Sequence, residues 1–277
     1  MIDQLLQYLS YPFVRHALVA GVLISLCAAL LGVSLVLRRL SFIGDGLSHV
    51  AFGAMAVAGV LNFSGDLSIS LMLTIACSVV LFMTGRTSQT KGDAALAMLS
   101  VGAMAIGYLL MNLFPSSSNV SGDVCTTLFG STTILTLTLG ELWTCVALSV
   151  AVIVFQVLTY HRAFEFAFDE DFARASGGAV TAFNLVSAVV VAIVIVISMR
   201  LVGTLLVSAL LVFPAVSALR VCKSYLAVTL CSAALAVVGA LIGMLVAIET
   251  GTPVGATVVV VNLAVFLACY AIGKIKG

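Results

Sequence analysis

VRHALVAGVLISLCAALLGVSLVL, residues 14–37, runs directly into RRLSFIGDGLSHVAFG, residues 38–53. The first string is long and apolar enough to cross a bilayer as a helix, which takes about 20 residues. Arg38 and Arg39 stop it, and the second string opens a new apolar run with Asp45 and His49 set into its beginning. A carboxylate inside hydrocarbon costs roughly 2.5 to 3.5 kcal/mol on insertion scales, so an acid at this place calls for a functional reason.

The composition agrees with that reading. The 277 residues are 62% hydrophobic and 8% charged, where a soluble domain carries about 25% charged residues. Soluble enzymes and disordered chains are excluded together. The apolar runs are continuous and do not alternate, so the spans are helical and not strands of a barrel. A net charge of +1 argues against nucleic acid as a partner. Seven cysteines form no C-x-x-C pair, and most sit within apolar runs, where a thiol acts as a small hydrophobe. The first run is too long, and its flank too weakly cationic, for a cleavable signal peptide.

Further runs give spans at about Val14–Leu37, Asp45–Leu61, Leu67–Gly85, Ala94–Phe114, Leu139–Tyr160, Val180–Met199, Leu201–Leu219 and Tyr225–Ile248, with a ninth opened by Thr252-Pro253. Glycines 44, 46, 53 and 59 mark the second as a helix of the bundle interior, because small residues let membrane helices approach closely. The turn-rich stretch Pro115–Gly122 precedes a helix over Asp123–Gly130 that is too short to cross. The seventh span is the weakest, since Arg200 leaves almost no loop and Pro214 interrupts it. The expected fold is therefore all-α, a polytopic bundle of eight to nine transmembrane helices in one domain over residues 1–277.

Charge sets the orientation. With the loop at about 161–177 placed in the cytoplasm, the arginines and lysines at 38, 39, 86, 91, 162, 174, 220, 223, 274 and 276 all fall on that side. Only Arg15 and Arg200 fall outside. The positive-inside rule selects this arrangement, with the N-terminus outside and the C-terminus cytoplasmic.

Asp45 and His49 stand one helical turn apart and share a face. Carboxylate oxygen with imidazole nitrogen suits Zn²⁺, Mn²⁺ or Fe²⁺, whereas magnesium prefers all-oxygen ligands. Two ligands leave the shell incomplete, which suits a site that must release its ion. Ligation needs a neutral imidazole, so protons compete with the metal. The same spacing is compatible with a structural Asp–His hydrogen bond, or with Asp45 as an N-cap. His16 lies at a membrane boundary and His161 in the charged loop, both poorly placed as ligands. Ser88–Lys91 matches S-x-x-K without its companion motifs. No G-x-x-x-x-G-K-[ST] occurs, so ATP dependence has to come from a partner. In the charged loop, Phe168, Phe172 and Ala175 recur at i, i+4 and i+7, the pattern of a short amphipathic helix with an acidic opposite face. Such a helix fits a groove on a soluble protein, or lies as an acidic connector on the bilayer.

Three stretches together resemble the membrane permease subunit of bacterial ABC importers for zinc, manganese and iron (the metal ABC-3 permeases). They are residues 38–53 with the G-D-x-L-x-H core, Leu201–Ala215, and Thr252–Ala256. The similarity implies a transport subunit of the bacterial inner membrane, not an enzyme. It implies two cytoplasmic ATP-binding subunits, a second permease subunit that makes a homodimer or is a similar chain, and an external metal-binding protein. The divalent metal is then transported substrate, with no permanently bound cofactor, and Asp45 and His49 lie on its path. Phe168, Asp169, Glu170, Asp171, Phe172, Ala173 and Gly177 belong to the segment that couples to the ATPase. The competing readings are a gradient-driven secondary carrier, whose internal repeat is not evident here, and a permease for iron chelates or vitamin B12, which would need a wider path.

Overall fold

The computed structural model describes residues 10–61, 66–84, 89–114, 127–128, 130 and 137–276. Long helices dominate: α1 (Pro12–Leu37), α2 (Ser41–Val60), α3 (Asp66–Thr84), α4 (Gln89–Leu113), α5 (Leu139–Phe168), α7 (Val180–Val202), α8 (Thr204–Val221), α9 (Tyr225–Thr250) and α10 (Val254–Lys276), with the short α6 (Glu170–Ala175) between α5 and α7. No strand occurs among the described residues. Of the helix expected over Asp123–Gly130, only residues 127, 128 and 130 are among them.

The helix ends follow from local chemistry. Pro12 opens α1, where its fixed φ suits the first turn and its missing N–H is no loss. Thr138 and Glu141 form a reciprocal capping box at the start of α5. The Ser224 hydroxyl accepts the Ala227 N–H to cap α9, and Gly251 ends that helix in the left-handed region.

Eight of the described helices are long and apolar enough to span a membrane: α1, α2, α4, α5 and α7 to α10. α3, a helix of 19 residues, is apolar through its described side chains, Ser68–Phe82. The seventh span of the sequence reading, the weakest there, is one of these eight as α8. Pro214 lies inside an unbroken α8, as membrane helices tolerate when neighbouring groups satisfy the freed backbone. Arg200 occupies the last turn of α7, where a cation complements the carbonyl end of the helix. Only Gly203, at φ 88°, separates α7 from α8.

Burial sorts the helices. Two-thirds of α1 and of α2 is buried within the chain, against about a fifth of α4, α5 and α10. The core, built from Ala20, Ile24 and Leu31 of α1, Leu47 and Phe52 of α2, Ile195 of α7 and Leu210 of α8, lies between the central helices. Lipid tails are as apolar as leucine, so close packing of small residues holds such helices together. A Cβ on Gly53 of α2 would sit 2.6 Å from the Ala103 carbonyl oxygen of α4; α2 and α4 therefore meet backbone to backbone.

With no water in the hydrocarbon, buried donors must find partners inside the protein. The hydroxyls of Ser25, Ser48, Thr74 and Ser149 donate to carbonyls three or four residues earlier in their own helices. Bonds between helices include Ser78 of α3 donating to the Ala188 carbonyl of α7 at 2.8 Å, and the Cys27 thiol of α1 to the Ser149 hydroxyl of α5 at 3.3 Å.

Candidate functional site

The link between α1 and α2 sets the position of the Asp–His pair. The Arg39 N–H donates to the Val36 carbonyl and the Leu40 N–H to the Leu35 carbonyl, the two bonds of a Schellman motif. Its pivot is Arg39, held at φ 59°, a left-handed conformation that disfavours any residue bearing a Cβ. The chain reverses within three residues, and α2 begins at Ser41.

Asp45 is therefore the fifth residue of α2 and not its cap. The N-cap is Leu40, with no side-chain capping bond. His49 Nε2 lies 3.8 Å from Asp45 Oδ2, beyond hydrogen-bond distance. Both structural alternatives to a ligand role, the cap and the stitching bond, are absent from this geometry. Oxygen and nitrogen ligands at about 2.1 Å from one ion stand at most about 4.2 Å apart, so both atoms can reach a common cation.

The environment of the pair is lopsided. Ile43, Gly44, Leu47, Ser48, Val50 and Ala51 of the same helix are buried. Yet the Asp45 side chain is 53% exposed and that of His49 26%. The pair looks out from one of the two most enclosed of the described spans, on the face its own chain leaves open. His49 Nδ1 is buried with no hydrogen-bond partner. Among the described residues no third histidine, cysteine or acid joins the pair.

The charged segment differs from its sequence reading. Its Tyr160 boundary is not the end of α5, which continues as one helix of 30 residues to Phe168. Ala163 and Phe166, buried on that extension, are the reason it stays helical. Asp169 leaves the helix with φ −149° and caps α6, its carboxylate accepting the Phe172 N–H at 2.9 Å. Phe168 and Phe172 consequently stand on two different helices and not on one amphipathic helix. Both remain strongly exposed, at 86% and 68%. Asp171 is exposed beside them. Ala173 is fully buried against Phe166 and Val180, with Phe183 packed alongside. Gly177 ends α6 at φ 88°, a second Schellman turn whose N–H bonds from Gly177 and Gly178 return to Arg174 and Ala173.

Glu170 turns inward. It accepts from Arg174 at 3.3 Å and from Arg38 at 3.5 Å. Arg38 itself is only 7% exposed. Its guanidinium also donates to the Asn184 side-chain oxygen and lies 5.9 Å from the centroid of the Phe183 ring. Burial pulls its pKa below the ordinary arginine value, although arginine stays charged in proteins. Sequence reading took Arg38 only as a topogenic charge. Its partners lie 132 and 146 residues away, and no local pattern signals them.

A family model described as ABC 3 transport family matches residues 10–273. The "Probable metal transport system membrane protein" of Treponema pallidum is 28% identical over 267 residues, 96% of this chain and 98% of that protein. The "Manganese import system permease protein ScaB" of Streptococcus gordonii is 26% identical over 276 residues, 98% of this chain and 96% of its own length. Among solved structures, "PsaBC from Streptococcus pneumoniae in complex with Fab" superposes with a TM-score of 0.85 at 22% identity, covering all of both chains. That likeness is one of fold.

Proposed function

The chain belongs to the ABC 3 transport family, and from that premise we propose that it is the membrane permease of an ATP-driven importer of divalent metal ions. It sits in the bacterial inner membrane as a multi-pass protein and forms the path the ion takes. Hydrolysis of ATP is the work of partner subunits.

The observation that carries this reading is the Asp45–His49 pair, two ligand atoms 3.8 Å apart on the open face of a helix otherwise enclosed by its own bundle. A carboxylate left facing hydrocarbon is costly, so the open face is covered in the working assembly by a second permease subunit, with the ion path between them. Oxygen and nitrogen donors suit Mn²⁺, Zn²⁺ and Fe²⁺ alike, and the manganese in the name of the S. gordonii relative supports the first.

The excess of arginine and lysine on one side supports an external N-terminus and a cytoplasmic C-terminus. In that orientation α6 and the end of α5 stand in the cytoplasm. Phe168 and Phe172 present two exposed rings beside the acidic Asp171, a knob that two ATP-binding subunits, one per permease, would seat in a groove. Asp169, Ala173 and Gly177 hold that knob in shape. An external metal-binding protein delivers the ion at the opposite face.

The test is transport by the complex reconstituted in liposomes with its ATPase subunits and binding protein. Accumulation of Mn²⁺, Zn²⁺ or Fe²⁺ that needs ATP supports the reading and ranks the metals. Uptake by this chain alone, driven by a proton or sodium gradient, would replace it with a secondary carrier. Uptake of a chelate but of no free ion would replace it with a chelate permease.

A further inference from the structure

Two parts of the molecule that transport must join are far apart in sequence: α6, with its exposed aromatic knob, and the start of α2, with the Asp–His pair. The side chain that touches one and belongs to the other is Arg38. It lies in the turn between α1 and α2, seven residues before Asp45. Its guanidinium reaches Glu170 in the first turn of α6 and Asn184 and Phe183 in the first turns of α7.

We propose that Arg38 is a positioning residue that transmits movement of α6 to the first turn of α2, and so to Asp45 and His49. The inference rests on the permease reading above and deepens it. Three observations carry it. The turn bearing Arg38 is stiff, because both Schellman bonds close and Arg39 is locked in the left-handed region, so a pull on the guanidinium is not absorbed by the backbone. The start of α2 is tightly seated as well: Ile43 is buried, and a Cβ on Gly44 would lie 2.8 Å from the Leu211 side chain. The contact to Glu170, at 3.5 Å, is at the outer limit of a hydrogen bond. It is the one that shortens or lengthens as α6 shifts, while Asn184 and Phe183 hold the guanidinium on the α7 side. A buried guanidinium cannot be left unpaired cheaply, so it follows its acceptors. Both bonds leave from one nitrogen, Nη2, so movement of either acceptor bears directly on the other.

The experiment compares Arg38→Met, Glu170→Gln and Arg38→Lys with the native complex in liposomes, following ATP hydrolysis and Mn²⁺ accumulation together. The native complex decides the parent reading: if it neither hydrolyses ATP nor takes up Mn²⁺, Zn²⁺ or Fe²⁺, that reading fails before any variant is compared, and whichever of the three it takes up replaces Mn²⁺ as the probe. Where it does both, Arg38→Met and Glu170→Gln are expected to stay bound to the ATPase subunits and to hydrolyse ATP. Their Mn²⁺ accumulated per ATP should fall about tenfold, the size of a typical coupling between sites. Arg38→Lys should recover part of that ratio, and pairing Arg38→Glu with Glu170→Arg should recover more than either substitution alone. A native ratio in Arg38→Met and Glu170→Gln overturns the proposal. So does loss of the ATPase subunits from these variants, which would make Arg38 a docking residue, and so does a fall in thermal stability that tracks the loss of transport across the series.

Discussion

Gly53 of α2 and Ala103 of α4 are in backbone contact: the place of a Cβ on Gly53 is 2.6 Å from the Ala103 carbonyl oxygen. On the other side of the crossing, a Cβ on Gly107 would meet the Gly53 Cα at 3.0 Å. The two helices cannot move apart without shifting the helix that bears the Asp–His pair one turn away. Gly53→Val should lower stability by about 1–3 kcal/mol, the usual cost of overpacking. Thermal unfolding of the purified chain in detergent checks this, and metal uptake should fall with it.

Asp45→Asn separates ligation from folding. The side chain is half-exposed and makes no hydrogen bond to His49, so its amide analogue should leave the unfolding temperature unchanged or slightly raised, within about 0.5 kcal/mol. Metal uptake should be abolished. His49→Ala should behave alike, since its Nε2 holds no other partner. An unfolding temperature that drops with either substitution would assign the pair to structure.

Replacing Phe168 and Phe172 together with Asp should release the ATPase subunits, while the permease unfolds at its usual temperature. Both rings are exposed, so their loss does not open the core. Co-purification of the complex reads the result, and binding unchanged in the double variant would move the contact elsewhere.

Ala173→Leu attacks the same knob from beneath. The residue is fully buried against Phe166 and Val180, and a leucine does not fit without displacing α6. The cost should be about 1–3 kcal/mol locally. Faster proteolysis within residues 169–178 than in the native protein is the expected readout, with the membrane core unaffected.

Much of the bundle was legible because uninterrupted apolar runs permit nothing else in lipid. The limits of legibility were specific. Tyr160 looked like a boundary because charge begins at His161, but a helix outlasts the bilayer when its extension buries an Ala163 and a Phe166. The spacing of Phe168 and Phe172 fits one helix, but Asp169 prefers to cap the next one, and a capping preference wins over periodicity in so short a segment. Arg200 and Pro214 suggested a faulty span, yet a helix end accepts the arginine and a membrane helix the proline. Asp45 and His49 were readable as a pair because they are four residues apart. Glu170 and Asn184 were not readable as partners of Arg38, since nothing nearby in the chain announces a contact made across the fold.

The one-residue joint at Gly203 has a mechanical consequence. With a single pivot between them and both flanking residues helical, α7 and α8 form a stiff elbow rather than two free rods. A tilt imposed near Asn184 runs along α7 to this joint and returns along α8 to the side of the bilayer where it began. Movement at one face of the protein is thus turned around at the other and brought back to the first.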